Sequence, residues 1–131
     1  MQEQLKQQHV PVKMYQTTER LMVTAPMPGV EPDNIVVEVT DDGHLTIHGD
    51  LRAKLKDVKV LLVDEWSAGA YHRELELSTA VNGEKANVTY GNGVLTVAFP
   101  ISQRTLPARL TLERVAATHG RRKGNAGHPP A

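Results

Sequence analysis

Between residues 12 and 100 the chain is written in short alternations of apolar and polar residues, each closed by a turn signal about every eight to twelve residues. A period of two sends successive side chains to opposite faces of a pleated strand, so such a chain can bury itself only by stacking sheets. Leu21, Val23 and Ala25 alternate with Met22 and Thr24 until Pro26-Met27-Pro28-Gly29 stops the run. Ile35, Val37 and Val39 alternate with Val36, Glu38 and Thr40. After Asp41-Asp42-Gly43, Leu45, Ile47 and Gly49 alternate with His44, Thr46 and His48. Two alternating runs around Asp-Gly predict a hairpin, because glycine accepts the positive φ of a tight turn. Ala86, Val88 and Tyr90 lead through Gly91-Asn92-Gly93 to Leu95, Val97 and Phe99, a second hairpin ended by Pro100. With Tyr71, Arg73, Leu75 and Leu77 in a further run, roughly eight strands and no long helix predict an all-β sandwich or barrel.

The interval between the hairpins is less one-sided. Leu51, Leu55, Val58 and Leu62 fall at helical spacing, whereas the β-branched Val58, Val60 and Val63 crowd a helix. A strand over residues 58–64 is expected, with a helix or loop as the alternative. Aromatic residues are only 4% of the chain, so the core must be built from Val, Leu and Ile, which suit pleated sheets.

The ends read differently. Residues 1–10 are polar and are expected to form a short mobile arm before a domain at 11–101. Pro107-Ala108-Arg109-Leu110-Thr111-Leu112-Glu113 is extended, with Leu110 and Leu112 on one face. Two leucines on a lone strand need a groove, so residues 102–115 are expected to be an extension that docks. Residues 116–131, rich in Gly, Ala, Pro, His and basic side chains, are expected to be a disordered, solubilising tail.

Several functions are disfavoured. Fifteen basic residues balance fifteen acidic ones, so no global field draws the chain to nucleic acid or an anionic membrane. Arg121-Arg122-Lys123 has no interleaved aromatic residue and is expected to solubilise. Without cysteine there is no disulfide or thiolate chemistry. No apolar stretch is long enough to span a bilayer as a helix, and Met1–His9 lacks the apolar region of a secretory signal, so a cytoplasmic protein is expected. There is no P-loop, G-x-S-x-G or H-E-x-x-H, and Ser67, Ser78 and Ser102 have no local base. An enzyme is not expected, nor any cofactor. His44 and His48 stand four apart on one strand, about 13 Å, too far to share a metal ion. They, His72, His119 and His128 are expected to be surface histidines.

Six motifs in order resemble the small heat shock protein (alpha-crystallin) family. Ala25-Pro26-Met27-Pro28-Gly29-Val30 is similar to its alanine–x–leucine–proline–glycine–valine element. Asp33-Asn34-Ile35 with Val37 and Val39 is similar to the strand that follows, and Leu45-Thr46-Ile47-His48-Gly49 to its L-x-I-x-G strand. Glu65, Gly69, Tyr71 and Arg73 fit E-x-x-x-G-x-[FY]-x-R. Ala86, Asn92, Gly93, Val94 and Leu95 fit A-x(5)-N-G-V-L, its most specific signature. Leu110-Thr111-Leu112 resembles its C-terminal I-x-I/V motif. The resemblance covers residues 10–113 and departs from the family in its very short N-terminal arm.

The resemblance implies an immunoglobulin-like antiparallel β-sandwich and a dimer in which the strand around residues 58–64 crosses to the partner, with Val58, Val60, Leu62, Glu65 and Arg73 at the interface. It implies that Leu110 and Leu112 dock into a groove lined by Val37, Val39, Val88 and Tyr90, on a neighbouring copy by preference. It further implies an ATP-independent holdase chaperone whose partners are itself, in dimers or larger oligomers, and partially unfolded clients. An interaction or scaffold module on the same sandwich is the alternative.

Overall fold

The computed structural model describes residues 7–50, 70–116 and 119–122. The expected strand at 58–64 lies outside the described residues, as do Glu65 and Gly69. Among the described residues eleven strands form two sheets. They are β1 (Gln7–His9), β2 (Lys13–Gln16), β3 (Arg20–Pro26), β4 (Ile35–Val39), β5 (His44–Asp50), β6 (Ala70–Glu76), β7 (Asn87–Gly91), β8 (Val94–Pro100), β9 (Ala108–Thr111), β10 (Glu113–Ala116) and β11 (His119–Arg122). One sheet runs β1-β6-β5-β4-β9 and the other β10-β11-β7-β8-β3-β2. Every pairing is antiparallel except β1 with β6.

Both expected hairpins form. Gly43 turns β4 into β5 at φ +87°, and Asn92-Gly93 turns β7 into β8 with φ +53° and +78°, the paired positive values of a two-residue turn. Burial follows the period of two along β3 and β5, in which inward residues are fully enclosed and outward ones half-buried. The inward residues meet in one cluster that includes Val23, Ile35, Ile47, Val88, Leu95, Val97 and Phe99, all at 0% exposure. It is aliphatic apart from Phe99, Tyr71 and Tyr90, as the scarcity of aromatic residues requires.

Both ends depart from expectation. The arm does not stop short of the domain: β1 pairs in parallel with β6, and Val10 is enclosed in the core. Arg73 Nη1 donates to the Val10 carbonyl at 3.0 Å. Val10 stands two residues before Val12, on the same alternation, but Pro11 between them and the polar residues before it end the expected arm at residue 10. The tail expected from residue 116 onward instead supplies β11, antiparallel to β7 and β10. Pairing with an open strand edge uses main-chain N–H and C=O groups, so a composition poor in apolar residues does not prevent it. Gly120 permits the approach, since a Cβ there would stand 2.3 Å from the Pro32 side chain.

Candidate functional site

The signature residues are explained by packing around one irregular segment, Met27-Pro28-Gly29. Met27 N donates to the Gly93 carbonyl at 2.7 Å. Tyr90 Oη donates to the Met27 carbonyl at 2.6 Å and Tyr71 Oη to the Pro28 carbonyl at 2.9 Å. Burial raises the Tyr90 pKa and keeps that phenol a donor. Gly29 turns at φ +87°. A Cβ on Gly93 would crowd Pro28 at 3.2 Å, and one on Gly49 would stand 2.6 Å from the Met27 methyl. Ala86 and Leu95 are fully buried, whereas Val94, at 41%, faces out. The segment thus ties the β7–β8 hairpin to β5 and β6 in the facing sheet.

The residues expected to line a docking groove all sit in the core cluster. Val37 and Val39 on β4 and Val88 and Tyr90 on β7 belong to the enclosed core. β4 and β7 lie in different sheets, and each offers a main-chain edge beside the gap between them. The C-terminal segment occupies both edges. β9 pairs with β4, placing Leu110 opposite Val37 and Ala108 opposite Val39. Leu110 is 1% exposed and Leu112 5%. β11 lies along β7, with Gly120 opposite Tyr90 and Arg122 opposite Val88.

In this chain the two leucines lie on their own domain, where docking on a neighbour was expected by preference. Pinned backbone decides this. Leu106 N donates to the Val81 carbonyl at 2.9 Å, and Gly83 N donates to the Leu106 carbonyl at 2.8 Å. A Cβ on Gly83 would lie 2.6 Å from that carbonyl oxygen. These bonds carry the chain from the end of β8 directly to β4.

An ion pair locks the last hairpin. Arg114 Nη2 donates to Glu31 Oε2 at 2.8 Å and to Asp33 Oδ1 at 2.9 Å. The hydrogen bond from Arg114 holds the Asp33 carboxyl below the usual carboxylate range. A depressed carboxyl contributes stability that is present above its unfolded pKa, near 3.8, and lost as the pH falls through the folded value. Exposed pairs of this kind are individually weak, so the effect is local. In Arg114→Ala, the β7 and β11 amides are expected to exchange with solvent faster at pH 7. Acidification through the lowered Asp33 value, below 3.8, should bring the parent chain to the same protection, read by hydrogen exchange corrected for the intrinsic pH dependence of amide exchange.

Arg73, expected at a dimer interface, holds the Val10 carbonyl of its own chain. His44 and His48 are on the outer face of β5 and do not meet. His44 instead bonds Glu76 at 2.8 Å and Glu74 at 3.1 Å, contacts that raise its pKa, Glu76 first. The near neighbour of His48 is His72, directly across on β6. Sequence reasoning grouped His72 with His44 and His48 but did not set it opposite His48, because the β5–β6 register depends on residues 51–69, whose length fixes no partner. Among the described residues no group of three or more His, Cys, Asp or Glu converges to hold a metal. No described helix is long and apolar enough to cross a membrane.

Two sheets whose edges at β4 and β7 are filled by the L-x-L strand β9 and by β11 define a strand-docking β-sandwich. The comparisons agree with this class. The chain belongs to the Hsp20/alpha crystallin family, whose model matches residues 13–113. It is 33% identical over 104 residues to the 16.6 kDa heat shock protein of Oryza sativa subsp. japonica, covering 76% of this chain and 69% of that one. It is 33% identical over 84 residues to an alpha-crystallin of Mycobacterium tuberculosis, covering 64% and 56%. The fold is shared with heat shock protein 16.0 from Schizosaccharomyces pombe, at TM-score 0.61, 20% identity and coverage of 76% and 71%. It is shared also with hspA from Xanthomonas axonopodis, at TM-score 0.61, 22% identity and coverage of 75% and 98%. Membership gives the chain a chaperone-type function and places it in a family that is not enzymatic.

Proposed function

We propose that this protein is an ATP-independent holdase that binds unfolding polypeptides through the groove between β4 and β7. The observation that carries the reading is the occupant of that groove. An extended segment with leucines two apart is held by main-chain bonds to β4 and by burial of Leu110 and Leu112. An unfolding client offers the same chemistry, extended backbone with apolar side chains at alternate positions. Burial of two leucines contributes about 3–6 kcal/mol at the fully buried limit, less the cost of ordering the strand. That balance permits release and replacement. Binding to the unfolded client then limits its aggregation by mass action.

Dimerisation by exchange of residues 58–64 belongs to the same reading. It is supported by β2, which ends its sheet and pairs on one side only among the described residues. Met14 and Tyr15 on that strand are 40% and 47% exposed. A free edge with exposed apolar side chains suits strand addition. The absence of cysteine agrees with a cytoplasmic setting.

The test is aggregation of a heat- or reductant-sensitive client, followed by light scattering. Suppression is expected at one dimer per client and unchanged by ATP. Unhindered aggregation at that ratio rejects the holdase. It would favour the second reading, an interaction module whose groove is permanently closed by its own β9 and β11, a reading the intramolecular docking supports.

A further inference from the structure

The outer face of β5 and β6 carries a pair of histidines that the chaperone reading does not use. His48 and His72 are direct cross-strand partners. Their Nδ1 atoms stand 3.1 Å apart, with ring centroids at 5.3 Å and planes at 68°. Each ring is anchored at its other nitrogen: His48 Nε2 lies 3.0 Å from Asp50 Oδ1, and His72 Nε2 lies 2.9 Å from Glu74 Oε2. The side chains are 31% and 26% exposed, so the pair is partly sheltered yet reachable from solvent.

The hydrogen-bond inventory bears on the protons. An ionised carboxylate only accepts, so each Nε2 carries hydrogen to satisfy its anchor. With both rings neutral, each has one N–H, which leaves both Nδ1 atoms bare. Two lone pairs then face each other at 3.1 Å. A Lewis acid that takes two imidazole nitrogens resolves that conflict. Two Zn–N bonds of about 2.0–2.1 Å at a tetrahedral angle separate their nitrogens by about 3.3–3.4 Å, within a few tenths of an ångström of the separation present. Donation of the second ring nitrogen to a carboxylate is the arrangement that orients metal-bound histidines and raises their basicity.

The geometry points to His48 and His72 as a two-imidazole site for a divalent cation of the zinc, nickel and copper class, with Asp50 and Glu74 as positioning residues. Imidazole donors favour these ions over magnesium or calcium. Water completes the coordination. His9 on β1 is exposed and in register with His72. The ion would staple β5 to β6 where the chain leaves at Asp50 and returns at Ala70. It therefore acts where residues 51–69 leave and rejoin the sheet, the interval that contains residues 58–64, proposed above for dimer exchange. That consequence rests on the dimer reading, whereas binding of the ion does not.

Zinc chloride titrated into the full chain by calorimetry is expected to show one equivalent bound. His48→Gln and His72→Gln should each weaken it at least tenfold, Asp50→Asn and Glu74→Gln about tenfold. His119→Gln/His128→Gln, which removes two C-terminal histidines, should leave it intact. Nitrogen NMR of the parent chain supplies a readout free of folding effects. Without zinc, His48 and His72 should both appear as the Nε2–H tautomer, and zinc should move their Nδ1 resonances. Zinc-induced shifts confined to other histidines, an isotherm unchanged in His48→Gln/His72→Gln, or no binding at all would each overturn the assignment. Light scattering with and without zinc then reports separately on the dimer.

Discussion

A chain carrying Leu110→Ala and Leu112→Ala will be less stable than the parent by about 4–8 kcal/mol, measured by urea unfolding followed by circular dichroism. Single Leu→Ala changes in cores cost about 2–5 kcal/mol, through lost transfer energy and the cavity left behind. Both leucines are almost wholly enclosed here, and Leu110 faces Val37 across a strand pair. The two sites are neighbours, so their costs need not add. Against a total stability of about 5–15 kcal/mol, the double variant sits near the limit of folding. A loss under about 1 kcal/mol would mean that the segment does not occupy the groove in solution. Concentration dependence adds a second discrimination. Docking on the same chain gives a difference between parent and variant that is independent of protein concentration, whereas exchange of β9 between copies makes that difference grow with concentration. The single variant Leu110→Ala, which keeps half of the apolar contact, is the form in which to compare client binding.

The second large effect is expected at Phe99. Phe99→Ala should cost about 3–5 kcal/mol and lower the midpoint of thermal unfolding by roughly 10 °C or more. Phe99 is fully enclosed, opposite Leu21 on the β3–β8 pair, and is the only phenylalanine in the chain. The surrounding core is aliphatic and held between two hydrogen-bonded sheets. The sheets cannot close by more than their side chains allow. Phe99→Leu fills most of the volume and should cost under about 2 kcal/mol. Equal losses for the two variants would show that the site collapses freely and that the sandwich is not tightly packed there.

The strand faces were legible because their cause is local. Val37, Val39, Leu45 and Ile47 are buried, and Glu38, Thr46 and His48 are not, as a period of two requires once one face must leave water. Asp42-Gly43 and Asn92-Gly93 named their hairpins through the backbone angles that only a few residues tolerate. The docking motif was legible too, since two leucines on a short extended segment must find apolar contact. Its address was not. Leu110 lies on its own domain because Leu106 is bonded to Val81 and Gly83, an arrangement made by residues of no particular pattern. Residues 51–69, which offered both helical and strand spacing, lie outside the described residues, and the proposed exchange stands on the free edge of β2 instead.

The sequence alone determined that this chain forms short antiparallel strands with one apolar face each, where its hairpins turn, and to which family it is similar. Tertiary structure decided which strand edges meet. It placed Val10 in the core, drew β11 from a tail with no apolar period, and set His48 against His72. Alternation and turn angles are properties of a residue and its immediate neighbours, so they can be read along the chain. Edge pairing is a contest among main-chain groups that all carry the same donors and acceptors, and only the assembled sheets decide which edges are left to pair.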